Sequence, residues 1–485
     1  MYPTTLHEQI MHALTDPASV PMSLAQIVTE EVKEFRGSEQ YTQMVQAEQY
    51  YRNRSAVQHK TVELAKRSNT KIEHPILKKL VDQKSNYLLS KPFSVVTENE
   101  AYGKALNEVF DAAFRKKIKS LGKGGVKSGI AWLQPYFDAS GIKFMRMPST
   151  ELVPLWKDAE HTALDGFIHV YEQIVYKGTL KTVIEHAELW HIGGVNYFVR
   201  DAKSGATFMV DPDYGPDPVP HFTFNKKGYN FEKPPISWVK YNEDELPLCY
   251  FIKELIDDVN WQTSVTADVL RDVAKFIYVL KNYGGQDLAE FIKDLRESLA
   301  IKVDADGGVD KLAADLNIDA VMAFLDKNRR DLYDYGSGVD SKDPDLGNAS
   351  GTAINFRYMD LDADCQALAA ELQDTFQQLK PVIDVWLQIT NKGDFSKDEF
   401  TVQFNADLPV NEAEIITSIM ASRGLVSDRT LLAQHPYVDD VDDELEQLKK
   451  EKEEALAEFG EGLFDTTMGG GNPQQNGGVT DGEDE

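Results

Sequence analysis

Gly122-Lys123-Gly124-Gly125-Val126-Lys127-Ser128 has the residue types of a phosphate-cradling loop. That chemistry needs a Gly directly before Lys-Ser and a second Gly five positions earlier, so that backbone N–H groups can surround a phosphate. Val126 and Leu121 occupy those positions, and the stretch reads instead as a flexible basic connection between a helix and the first strand. Asp304-Ala305-Asp306-Gly307 opens like a calcium loop. Val309 and Asp315 then stand where the turn glycine and the bidentate glutamate should be, so a hairpin turn is expected. His186 and His191 are five apart with no second His–carboxylate pair beside them, which predicts solvated or hydrogen-bonded imidazoles rather than metal ligands. The run Asp439-Asp440-Val441-Asp442-Asp443-Glu444 has the carboxylates to hold a divalent ion. Acids complementing the dipole at a helix start are the stronger reading. No Gly-x-Ser-x-Gly elbow and no local Cys–His signature is present. The residues thus point to no catalytic group, cofactor or metal.

Two segments suit contact rather than catalysis. Arg115, Lys116, Lys117, Lys119, Lys123 and Lys127 form a basic cluster with no acid among them. Two readings stand level: contact with nucleic acid or an acidic neighbouring subunit, or a solvated helix end whose cations complement the C-terminal dipole. No aromatic residues interleave to stack bases. The second segment, Gly338 to Gly351, is rich in Gly, Ser, Asp and Asn. It joins two helices, reads as too polar to be buried, and carries glycines that free the backbone.

The elements around these segments follow from periodicity. Ser23 can cap a helix carrying Leu24, Ile27, Val28 and Phe35, stopped by Gly37. A second helix runs from Ser38 to Tyr51 and a third ends before Lys91-Pro92. Helical spacing resumes over Ala101 to Leu121. Between Ala131 and Ser237, short apolar runs separated by Gly, Pro and Asp predict an antiparallel β region. Leu248, Ile252, Leu255 and Val259, then Leu270, Val273, Ile277 and Leu280, predict long amphipathic helices. A compact α/β insertion follows, with a helix near Leu288 to Leu299, and another helix covers Asp319 to Tyr335. Leu361, Cys365, Leu368, Leu372, Phe376, Leu379, Ile383 and Trp386 mark a long helix that Pro381 should kink. Phe400 to Phe404 alternates like a strand, Asn411 to Gly424 and Ser427 to Gln434 read as short helices, and Asp442 to Phe459 as a charged one.

The whole-chain numbers bound the function. At 485 residues, about three domains or one elongated protein of several packed regions is expected. Hydrophobic residues at 42% and charged residues at 27% fit a soluble globular chain, and no apolar run approaches the ~18 residues of a membrane span. The first residues read as lacking a signal peptide. Two cysteines, Cys249 and Cys365, supply neither a disulfide framework nor a four-sulfur zinc site, which favours a reducing cytoplasm. The net charge of −28 argues against a tight phosphate clamp. Residues 439–485 hold 16 acids and 3 bases, so −13 of that charge lies in the last tenth of the chain. The Gly/Gln/Asn/acid stretch from Gly460 is expected to be disordered.

The order of segments resembles the portal proteins of tailed double-stranded DNA bacteriophages, in the long-tailed siphophage branch, over Ser38 to Glu454. The carriers are Gln49-Tyr50-Tyr51-Arg52; the helix from His74 to Pro92; Gly129 to Tyr136 with Pro148 to Trp156; Phe276 to Gly285; Gly347 to Ile354; and Gly424 to Leu432 with Pro436 and Val438-Asp439-Asp440.

The resemblance implies an α+β portal architecture assembled as a ring, usually of twelve subunits, at one capsid vertex. It implies N-terminal helices and a β-rich wing over 1–242, joined by 394–410. Stem helices would span 243–272 and 319–337, around a small α/β clip at 273–318. A tunnel loop would cover 338–351, a long tunnel helix 352–393, a crown 411–459 and an acidic tail 460–485. The implied partners are other copies of the chain, terminase, major capsid and scaffolding proteins, a head-completion or adaptor protein, and double-stranded DNA without sequence preference, with no membrane. The location would be the virion, after assembly in the host cytoplasm. The tunnel-loop residues Gly338, Asp340, Ser341, Lys342, Asp343, Asp345, Asn348, Ser350 and Gly351 would touch DNA in the channel. No catalysis is implied. The competing class is a metal-dependent phage nuclease using the acids near Asp439.

Overall fold

The structure is a computed structural model. It describes residues 22–61, 68–138, 141–178, 180–203, 205–273, 277–281, 287, 308–312, 317–343, 351–404, 412–433, 435, 437–438, 441 and 444–452. Helix and strand are mixed, as an α+β chain requires. The chain divides into a large unit, 1–348 with 355–407, and a small one, 349–354 with 408–485.

The large unit opens on Ser23, whose hydroxyl accepts from Gln26 N–H while the Gln26 side chain accepts from Ser23 N–H. This reciprocal cap satisfies donors that the first turn leaves free. Helix α1 (Leu24–Gly37) buries Val28, Val32 and Phe35, and Ser38 both ends it and caps α2 (Glu39–Tyr51). Helix α3 (Ile76–Leu89) follows. The helical stretch expected from Ala101 to Leu121 is two helices, α4 (Glu100–Val109) and α5 (Ala112–Ser128). Asp111 separates them, its carboxylate accepting from Phe114 N–H at 2.7 Å.

Helix α5 corrects the reading of Gly122–Ser128 as a flexible connection: these residues are its last turns. Glycine is a poor helix former, so packing decides here. A Cβ on Gly124 would lie 2.3 Å from Arg146 Nη2, and one on Gly122 2.8 Å from Leu89 Cδ1. The helix stops at Gly129, at φ 83, whose N–H bonds Gly125 O at 2.7 Å.

The expected β region forms two antiparallel sheets. One has the order β11-β2-β3, with β2 Ile130–Asp138, β3 Gly141–Met147 and β11 Ser237–Lys240. The other runs β4-β5-β6-β7-β8, from Leu152–Trp156 through Leu164–Lys177, Leu180–His191 and Gly194–Asp201 to Met209–Val210. Val28, Val32, Phe35, Trp132, Phe167, Phe198 and Trp238 join α1 and both sheets in one apolar core. A small hairpin, β9 (Phe222–Phe224) with β10 (Lys227–Tyr229), lies beside them in sequence.

Helix α6 (Leu248–Val273) packs against α7 (Ile318–Tyr335). Asn328 Nδ2 donates across this contact to Asp258 at 2.6 Å. The helical spacing at Ile277 and Leu280 misleads: Ile277–Lys281 is strand β12, paired antiparallel with β13 (Gly308–Leu312). The helix expected at Leu288–Leu299 and the turn at Asp304–Gly307 lie outside the described residues. Helix α8 (Gly351–Ile389) is 39 residues long, about 60 Å. Leu361, Cys365, Leu368, Leu372, Phe376, Leu379 and Ile383 all turn into the second core, as their spacing predicts. Strand β14 (Thr401–Gln403) pairs with β1 (Ser94–Val96), a partner 307 positions away from Thr401 to Ser94 that no local pattern announces.

The small unit holds α9 (Glu412–Ala421) and α10 (Asp428–Ala433), close to the two short helices expected there, and a further helical stretch at 444–452.

Candidate functional site

The segment between α7 and α8 is anchored at its start. Gly338 N–H bonds Tyr333 O at 2.8 Å, continuing the end of α7. The Gln83 amide then treats Val339 as a strand would: Gln83 Oε1 accepts from Val339 N–H at 3.0 Å and Gln83 Nε2 donates to Val339 O at 2.9 Å. Val339 is buried. Arg329 grips Asp340 through two nitrogens, at 2.7 and 2.9 Å, and Lys79 Nζ stands 3.9 Å from the same carboxylate. Burial raises the Asp340 pKa, but Arg329, the Lys342 N–H and Lys79 outweigh it and hold the carboxyl below its ordinary range. Asp343 pairs with Arg357 of α8.

This corrects one premise of the sequence reading. Gly338 serves close packing rather than mobility: a Cβ there would lie 2.3 Å from Leu80 Cδ2, and Leu80 is wholly buried. Gly338→Ala should therefore cost roughly 1–3 kcal/mol, read as a lower denaturant midpoint. Ser341 and Lys342 belong to the described, largely exposed turn; Gly351 is the first residue of α8; Asp345, Asn348 and Ser350 lie outside the described residues.

One residue missed by sequence reasoning ties the loop to the long helix. Lys84 of α3 is buried, donates to Ser337 O at 2.9 Å, and pairs with Asp364 of α8 at 2.6 Å. Tyr241 OH donates to the same carboxylate at 3.1 Å, and burial, then Asp364, push the phenol well above its ordinary pKa. Cys365 donates to Lys84 O at 3.7 Å. Burial pushes the thiols of Cys365 and Cys249 up to about 12. Both should react with an aromatic disulfide reagent at pH 8 at least about a hundredfold more slowly in the folded chain than in denaturant. Equal rates would show that neither is enclosed.

The basic cluster divides. Lys127 pairs with Glu48, and Lys123 with Asp82 at 2.5 Å. Burial raises both carboxyls, and their neighbours, Lys127 with Arg52 at Glu48 and Lys123 with Lys78 and Tyr51 at Asp82, more than reverse it. Both ammonium groups lie over the Tyr51 ring, at 5.3 and 5.1 Å. The Arg115 guanidinium lies 5.5 Å over Phe93. Lys116 and Lys117 remain exposed, and they and Lys119 have no ion pair among the described residues. Lys117 borders a 430 Å³ cleft with Val109, Phe114, Tyr136, Lys143 and Trp386. Lys123, Lys127 and Arg115 thus have partners within the chain, and Lys116, Lys117 and Lys119 have no ion pair among the described residues.

His186 and His191 share strand β6, and an odd separation puts them on opposite faces. His186 stacks on Tyr171 at 5.2 Å, while His191 is 2.9 Å from Asn196 Oδ1. Among the described residues no three His, Cys, Asp or Glu side chains converge as a metal site would need. Asp439, Asp440, Asp442 and Asp443 lie outside the described residues. No described helix is long and apolar enough to cross a membrane.

Comparison with known proteins places the chain in the class of bacteriophage portal proteins. A model of the family described as phage portal protein, SPP1 Gp6-like, matches residues 31–458, and the chain belongs to that family. It is 29% identical over 409 residues to the portal protein of Bacillus phage SPP1, covering 83% of this chain and 80% of that one. It is 25% identical over 442 residues to the portal protein of Clostridium phage phiCD119, covering 86% and 93%.

Proposed function

We propose that the chain forms a ring of twelve copies at one capsid vertex, through which double-stranded DNA enters during packaging and leaves at ejection. The family match over residues 31–458 carries this reading. In it, α6 and α7 are the stem, and residues 273–318 are a clip that docks terminase. Residues 411–459 form a crown toward the capsid interior. The ring also meets major capsid and scaffolding proteins and a head-completion or adaptor protein. It is assembled in the host cytoplasm and retained in the virion. It performs no catalysis of its own. A net charge of −28 suits a channel wall that repels phosphate and lets DNA slide.

The loop from Gly338 to Gly351 lines the channel. Its anchored start leaves Ser341 and Lys342 at the turn, with Asp340 and Asp343 already paired to arginines. Contacts with DNA are then weak, sequence-independent and partly through water. The test is a photo-crosslinker on Ser341→Cys, in a background whose native thiols are buried. It should capture DNA stalled in a partly filled head. Free labelling from outside the assembled head, with no DNA captured, would remove this loop from the channel.

A further inference from the structure

Strands β5 and β6 outrun their neighbours. Strand β4 pairs with β5 only as far as His169, and β7 pairs with β6 only from Ile184 onward. Residues 174–183 therefore continue as a two-stranded ribbon, joined through Gly178 at φ 63. An isolated ribbon of this kind is marginal in water unless something covers its apolar side chains. Here Ile174, Tyr176 and Leu180 are 53%, 70% and 71% exposed. Residues 173–183 include two lysines and no acid, and Lys181 is exposed without an ion pair among the described residues.

The far edge of the same sheet has the opposite character. Strand β8 is two residues long, its Met209 is 65% exposed, and Tyr214, five positions on, is also exposed. Residues 209–217 carry Asp211, Asp213 and Asp217 and no base. Asp213 and Asp217 are exposed. One chain thus presents an apolar, basic ribbon and, on a different part of one sheet, an apolar, acidic edge.

We propose that the ribbon of one copy docks on the β8 edge of the next copy, a head-to-tail contact between the two ends of this sheet. Two unlike, complementary patches on one chain generate a closed ring when the rotation between copies closes. Opposite charge at the rim fixes register and disfavours ribbon-to-ribbon pairing. This contact rests on the ring reading above and is the interface on which association of the copies depends.

The test uses two variants of the full chain, Tyr176→Glu with Leu180→Glu on the ribbon and Met209→Glu on the edge. All three positions are exposed, so each variant should fold and its circular dichroism spectrum should match that of the unaltered chain, while its thermal midpoint should lack the part that ring assembly contributes. By sedimentation velocity each variant alone should run as single chains where the unaltered chain forms rings. Mixed, they should give 1:1 pairs and no larger species, because one intact ribbon meets one intact edge. In the unaltered ring, backbone amides of 173–183 should exchange with deuterium at least about tenfold more slowly than in either variant. Rings formed by either variant, a mixture that stays single chains, or a ribbon that exchanges freely in the ring and is protected only by another phage protein would each overturn the proposal. If the unaltered chain forms no ring, the ring reading fails and this contact falls with it; rings by the unaltered chain and by the variants would overturn the contact alone.

Discussion

Lys84→Ala should lower the stability of the folded chain by about 3 kcal/mol, the low end of the cost of breaking a buried ion pair, because Asp364 keeps 23% of its side chain exposed and water can reach the carboxylate left behind. Lys84 is fully enclosed, and its ammonium group holds two things at once, the Ser337 carbonyl and the Asp364 carboxylate. Its loss leaves Asp364 with the Tyr241 hydroxyl alone and leaves Ser337 O without this donor. Lys84→Met would refill most of the volume without restoring either bond, so it should be nearly as damaging. Lys84→Met combined with Asp364→Leu removes both charges and should recover part of the loss, the part that an unpaired Asp364 costs, while the Ser337 carbonyl and the Tyr241 hydroxyl still lose these partners. Denaturant unfolding at one fixed protein concentration measures all three. An unchanged midpoint for Lys84→Ala would mean that the pair carries no net stability. The consequence for function follows from position, since Lys84 joins the start of the 338–351 segment to the helix that follows it.

Phe376→Ala should cost about 3–5 kcal/mol by opening a cavity. Its ring is wholly buried, with centroids of Phe93, Phe110 and Phe114 at 5.0, 5.2 and 5.7 Å, all edge-on. These rings come from the chain before β1 and from the α4–α5 junction, so Phe376 is where α8 is fastened to the N-terminal helices. Edge-to-face pairs add to area burial, which makes this site more sensitive than a lone aliphatic. Phe356, on the same helix but 69% exposed, is the control: Phe356→Ala should change the stability of the single chain by no more than about 0.5 kcal/mol. Equal effects at the two positions would contradict the assigned core face of α8.

The parts of the fold legible in the sequence are those set by neighbours a few positions away. Ser23 capping α1 and the three-and-four spacing from Leu361 to Ile383 each state a local rule, and each is met. The failures are non-local. Gly122–Ser128 reads as a loop by propensity, and its helix exists because Leu89, Arg146 and Val239 approach too closely for side chains there. Ile277 and Leu280 continue a helical stripe on paper, yet they pair with Leu312 and Val309 across the insertion. Lys84 looks like one more solvated lysine of α3, because its partners Ser337 and Asp364 lie 253 and 280 positions away. The same distance effect hid Glu48 and Asp82, which take Lys127 and Lys123 out of the basic cluster. Within the 338–351 segment, composition revealed a polar turn but not its buried start at Val339.

Electron microscopy of the purified chain separates a ring from a compact enzyme. Closed rings are expected, with a central hole wide enough for a DNA duplex, the β-rich sheets at the outer edge and no cleavage of DNA added with magnesium. Compact single particles without a hole, or particles that cut DNA in a magnesium-dependent way, would contradict the ring reading and favour a nuclease using the acids near Asp439.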